Sequence, residues 1–287
     1  MTTPAVPLAL TWPVVLAVLF GALLHASWNV LVKSSTDKAL DTALIHLLGS
    51  LIALPLLLVV GLPGSASWPF ILASVVIHIG YYIALAGAYK HGDMGLTYPL
   101  MRGVAPMLVA LSAVMTVGES LTPAAWAGVM GICAGVLVLG LSRHALDNRR
   151  ATLFALANAV VIAVYTVIDA LGARASGNAL QYVVALFVLD GWPFAFIVLA
   201  RRGRAALPYA RARWPVAAGG ALASLGSYGI ALWAMTRAPV ATVAALRETS
   251  VLFAALLGTW LLKEQFTARR ALGTCVIVAG VMALRLA

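Results

Sequence analysis

Ten stretches of about twenty almost uninterrupted apolar residues leave this chain few folds to choose from. They fall at 12–32, 41–60, 68–89, 95–117, 122–142, 151–173, 179–200, 214–235, 239–262 and 266–286, separated by turn residues and charge clusters. A helix needs roughly 20 apolar residues to cross about 30 Å of hydrocarbon, so each run matches one crossing. Backbone exposed to lipid must satisfy its own hydrogen bonds, and the runs are too long and too evenly apolar for barrel strands, so they read as α-helices. Of 287 residues, 63% are hydrophobic and 10% charged, against about 45–50% and about 25% in soluble domains. No soluble fold hides that much apolar surface, and the short loops leave little for a separate soluble domain.

The net charge of +10 would suit a nucleic-acid partner only if the basic residues shared a face. They lie instead in short loops, where they set orientation in a membrane. Fourteen of the nineteen Lys and Arg fall on one side, in loops holding Lys33, Lys38 and Lys90, the clusters Arg143 to Arg150 and Arg201 to Arg213, and Lys263, Arg269 and Arg270. Arg174, Arg237 and Arg285 are the three on the other side, and Arg102 and Arg247 fall inside spans. The positive-inside rule makes the rich side cytoplasmic and puts both termini outside. The segment before Trp12 has no Lys or Arg, so it lacks the basic start of a secretory signal, and the first run is expected to be a true span. Cys133 and Cys275 sit in apolar runs with no CxxC or His neighbour and read as small core residues.

Shifted by 145 residues, the sequence overlays itself: Arg102 on Arg247, Glu119 on Glu264, Thr122 on Thr267, Gly128 on Gly273 and Gly135 on Gly280. This divides the chain into repeats at 1–146 and 147–287. Five spans per repeat is an odd number, so the second copy enters the membrane from the opposite side. Inverted repeats of this kind place a solute site near the midplane, between the halves.

Val117 to Thr122 followed by Gly128 and Ala134-Gly135-Val136, and Leu262 to Thr267 followed by Gly273 and Ala279-Gly280-Val281, resemble the ending of the EamA repeat of the drug/metabolite transporter superfamily. Lys263 stands where that family usually has glycine, and Trp28, Asn29 and Lys33 sit where its first helix commonly has Trp, Asn and Lys. The resemblance implies ten helices, with the first four of each half lining a central cavity and the fifth and tenth packed outside. It also implies gradient-driven export of amino acids or related metabolites. The superfamily includes carriers of nucleotide sugars, phosphorylated sugars and drugs as well.

Polar residues within spans are costly unless they face an interior or a cavity, so they mark the candidate solute path. Ser74, His78, Tyr82 and Tyr89 form a stripe at helical spacing; Tyr98 and Arg102 share a face between Pro99 and Pro106; Asn158, Tyr165 and Asp169 share another; His25, Trp28 and Asn29 cluster on one turn. Arg102 and Arg247 lie about 10–12 Å inside their spans, either snorkelling to the interface or facing the cavity. Arg247 beside Glu248 offers adjacent opposite charges suited to a zwitterion. His78 and Asp190 lie about 15–16 Å deep, near the midplane. They are the candidates for proton coupling, although Asp190 before Gly191-Trp192-Pro193 would also serve as a structural acid at a helix break. Glu119 and Glu264 read as helix-start residues, and Trp12, Trp68, Trp126, Trp214 and Trp260 as interface anchors.

The substrate-binding set is therefore Trp28, His78, Tyr82, Tyr98, Arg102, Tyr165, Arg247 and Glu248, with Asp190 and His78 for protons. The aromatic members suit amphipathic or cationic solutes. The expectation is an all-α protein of ten transmembrane helices, working as a monomer in a bacterial inner membrane on a small-molecule solute, with no cofactor, metal or nucleic acid. The sequence contains no HExxH, GxSxG, P-loop or dinucleotide fingerprint, so neither ATP hydrolysis nor familiar hydrolytic chemistry is supported, and an enzyme is not expected. A channel or an intramembrane enzyme would be a different class of answer.

Overall fold

The computed structural model describes residues 8–92, 94–140, 148–261, 263, 265 and 267–287. Arg143 and Glu264 lie outside them, as does the side chain of Tyr89. Eleven helices account for almost all of the described chain: α1 (Trp12–Lys33), α2 (Lys38–Val60), α3 (Trp68–His91), α4 (Met94–Ser112), α5 (Pro123–Gly140), α6 (Arg149–Ala175), α7 (Ala179–Arg202), α8 (Ala206–Met235), α9 (Val240–Arg247), α10 (Ser250–Leu261) and α11 (Ala268–Leu286). There is no strand among the described residues.

The turn residues that separate the apolar runs also start the helices. Asp37 accepts from the Leu40 N–H at 3.1 Å, Asn178 from the Leu180 N–H at 3.0 Å, and Thr122 from the Ala125 N–H at 3.1 Å. Each satisfies a donor that the first turn of a helix leaves free.

Three boundaries differ from the sequence expectation. The ninth run is two helices, because α9 ends at Arg247 and the chain makes a tight turn before α10, with the Glu248 and Thr249 N–H groups bonded to the Ala245 and Leu246 carbonyls. The eighth helix begins at Ala206 rather than near 214, since Tyr209 and Arg213, four residues apart, both reach Asp41, at 2.9 Å and 2.6 Å. The break anticipated at Gly191–Pro193 is absent, and α7 runs straight through it. Gly191 instead lets α2 come close, for a Cβ there would sit 2.1 Å from Ser50 Oγ.

Nine helical spans among the described residues are long and apolar enough to cross a membrane, with α9 and α10 together forming one. The 19-residue α11 carries Arg269, Arg270 and Arg285 near its ends and lies along α5. There a Cβ on Gly135 would meet the Gly273 carbonyl oxygen at 2.9 Å and one on Gly273 would meet that of Gly135 at 2.9 Å; Gly128 and Gly280 answer each other at the same 2.9 Å. Such small-residue contacts bring membrane helices to backbone distance. The helices are antiparallel, and residue i of one contacts the equivalent of j while j contacts the equivalent of i, as a two-fold axis requires. Other pairings exchange in the same way: α1 packs on α8 and α6 on α3, α4 packs on α6 and α9–α10 on α1, and α2 packs on α7.

Glu119, expected to start its own helix, reaches across the halves. Buried, it accepts from the Val240 and Ala241 N–H groups at 2.8 Å and 3.3 Å, capping α9, and from Arg174 at 3.1 Å. Of the proposed interface anchors, Trp12, Trp214 and Trp260 are exposed as expected, whereas Trp68 and Trp126 are partly buried against the core.

Lys263 explains its own departure from the family pattern. Its φ is +55°, and its counterpart Gly118 has φ +73°, so both loops pass through the left-handed region that glycine enters freely and other L-residues enter at roughly 1–2 kcal/mol. Lys263→Gly should stabilise the fold by about 1 kcal/mol, read as a higher melting temperature of the purified protein; an unchanged or lower one would show that the loop stores no such strain.

Candidate functional site

Four helices from each half enclose a central cavity of about 120 Å³. The charged and aromatic lining comprises Trp28 and His25 on α1, His46 on α2, His78, Tyr81 and Tyr82 on α3, Tyr98 and Arg102 on α4, Tyr165 on α6, Phe187 and Asp190 on α7, Tyr228 on α8 and Arg247 at the end of α9. No described residue of α5 or α11 reaches it. Seven of the eight residues chosen as substrate-binding, and both proton candidates, face this space. Glu248 does not.

Glu248 pairs with Arg102 instead of its neighbour. Its Oε2 lies 2.8 Å from Arg102 Nε, with both side chains buried, and the two share a small cleft behind the cavity with Arg247 and Tyr165. Snorkelling of Arg102 is thereby overturned, because its guanidinium is ion-paired with a carboxylate inside the bundle. The adjacent-charge arrangement of Arg247 and Glu248 is also replaced: successive residues on a helix do not face each other, and Glu248 turns toward α4. Arg247 is left with its guanidinium 5.3 Å above the Tyr228 ring and no carboxylate within ion-pair distance among the described residues.

The same cavity also has an acidic group on its wall. His78 Nδ1 lies 2.9 Å from the Ser74 carbonyl oxygen and 3.8 Å from Asp190 Oδ1. A carbonyl only accepts, so this contact is a hydrogen bond in the tautomer that carries the hydrogen on Nδ1. The imidazole stacks on Tyr165 at 4.5 Å, and Tyr82 stacks on Phe194 at 4.6 Å while its hydroxyl lies 3.3 Å from His46 Nδ1. The His25 and Trp28 rings meet edge-on at 5.3 Å, and the buried Trp28 Nε1 has no hydrogen-bond partner. The cavity thus presents one unspent guanidinium, one acid–imidazole pair and walls of π-faces. Among the described residues no group of three His, Cys, Asp or Glu is placed to hold a metal ion.

His46, Phe187 and Tyr228 were not singled out from the sequence. His46 is a lone imidazole in an apolar run, and Tyr228 lies in the polar cluster Gly226-Ser227-Tyr228-Gly229; both were visible signals. Asp169 and Asn158 share the face expected of them, but both are fully buried behind the lining.

The family model described as the EamA-like transporter family matches residues 149–286. The second half of the chain belongs to the EamA-like transporter family. EamA-like proteins form multi-pass membrane transporters of the drug/metabolite type, and the described helices fit that class over both halves. A solved crystal structure of another protein is similar over 96% of this chain and 98% of its own at 21% identity and a TM-score of 0.76, a likeness of fold. No curated protein matches this chain.

Proposed function

We propose that this EamA-like protein is a secondary transporter that exports small metabolites, amino acids or related amphipathic compounds, by alternating access across a bacterial inner membrane. The observation that carries the reading is the unpaired Arg247 guanidinium facing the same cavity as Asp190 and a ring of aromatic side chains. A carboxylate accepts two parallel bonds from a guanidinium, and an ammonium group finds both an acid and π-faces in the same cavity. The cavity, about 120 Å³ where one water needs roughly 10–15 Å³ on the same measure, has room for a compact solute. The transporter would work as a monomer, without ATP or cofactor, and not as an enzyme.

The test is counterflow. Purified protein in liposomes preloaded with unlabelled amino acid should accumulate the labelled compound transiently, because a carrier exchanges faster than it moves empty. Flux that rises without trans-stimulation would point to a channel, and no flux for any amino acid would reject the substrate class.

The orientation is tested on α6, whose two ends lie about 40 Å apart. In a background lacking Cys133 and Cys275, Arg149→Cys should be silent and Ala175→Cys reactive toward an impermeant thiol reagent added to intact cells. The reverse pattern would put the termini in the cytoplasm.

A further inference from the structure

Asp169 does not touch the cavity, yet its contacts lead there. Fully buried, it accepts a hydrogen bond from the Tyr182 hydroxyl at 2.8 Å on one oxygen and from the Tyr228 hydroxyl on the other. Tyr182 is held in turn by Gly172, where a Cβ would lie 2.3 Å from the phenol ring. Tyr228 lines the cavity, and its ring is the surface over which the Arg247 guanidinium sits. Donating to a carboxylate polarises a phenol toward phenolate, which enriches the π-face that attracts the cation.

We propose that Asp169 is a positioning residue: through Tyr228 it holds the Arg247 guanidinium over the cavity with its N–H donors unspent, ready for an anionic group of the solute. The inference rests on reading Arg247 as the solute's anion anchor. A cation–π contact suits this task because it fixes the plane of the guanidinium without consuming the donors that a carboxylate partner would take. Arg102 differs in that its charge is already paired with Glu248 at 2.8 Å, whereas Arg247 has no carboxylate within ion-pair distance among the described residues.

The decisive experiment needs no transported substrate. Purified full-length protein is labelled with phenylglyoxal, whose carbonyl carbons are attacked by the neutral guanidine, and the adduct rate at Arg247 is followed by peptide mass spectrometry against that at Arg102 in the same sample. Releasing the π-contact makes the neutral form more accessible. Asp169→Asn and Tyr228→Phe, which keeps the ring but loses the hydroxyl, should each raise the Arg247 to Arg102 rate ratio at least threefold. Tyr182→Phe removes the other hydrogen bond to Asp169 and should leave the ratio within twofold. An unchanged ratio in monodisperse Tyr228→Phe protein overturns the proposal, as does an equal rise in Tyr182→Phe, which would mark general loosening. L-Alanine, but not L-alaninamide, should slow Arg247 labelling in the wild type. Failure of that protection with the threefold rise intact rejects the anion-anchor reading alone and keeps Asp169 as the group that positions Arg247.

Discussion

Arg247→Ala should lower the kcat/KM for a carboxylate-bearing solute roughly a hundredfold, because truncating one partner of a desolvated charge pair costs about 2–5 kcal/mol. The loss should appear mainly in KM, since Arg247 holds the solute in both access states of the proposed cycle. Arg247→Lys should recover only part of it, as a point charge cannot reproduce the planar fork. Tyr82→Ala should impair uptake too, by removing the ring stacked on Phe194. Trp126→Ala on α5 should leave KM unchanged, because no described residue of that helix lines the cavity. The measurement is initial-rate uptake into proteoliposomes at matched protein content. Normal affinity in Arg247→Ala with a lost affinity in Trp126→Ala would place the solute elsewhere.

Asp190→Asn should abolish accumulation driven by a pH gradient, bringing the internal to external ratio to about one, while exchange at equal pH survives. The motive is geometric: His78 Nδ1 lies 3.8 Å from Asp190 Oδ1 on the cavity wall, and the Ser74 carbonyl anchors the same ring at 2.9 Å, so an acid and an imidazole meet on the solute path. His78→Gln should give the same phenotype. A group that carries the coupled proton must change charge in every cycle, and an amide cannot. Concentrative uptake that persists in both variants would assign coupling to another ion or to other groups.

The residues legible in the sequence were those whose own helix shows their direction. Tyr82 and His78 repeat at helical spacing, so their shared face follows from the expense of facing lipid, whereas Arg102 and Arg247, charges near the ends of apolar runs, could as well have snorkelled to the interface. What was not legible depends on the other half of the molecule. That Glu248 turns to Arg102 rather than staying beside Arg247 is settled by the break between α9 and α10, which an apolar run of 24 residues at 239–262 conceals. Glu119 reads locally as a helix start, yet its partners are N–H groups about 120 residues further along the chain. Lys263 looked like a simple departure from a pattern until its backbone angle showed what the glycine was for.

The Arg102–Glu248 contact also sets a schedule for biosynthesis. Glu248 is made 146 residues after Arg102, which at about 5–20 residues per second is roughly 7–30 s of translation. Through that interval the fourth helix carries a buried cation whose insertion at a helix centre costs about 2.5–3.5 kcal/mol, with its acid still on the ribosome. The nascent chain must keep Arg102 next to water or the insertion machinery until the ninth span arrives. The first half made alone should therefore be degraded faster than the full chain, and a pulse-chase that finds equal half-lives would reject this consequence.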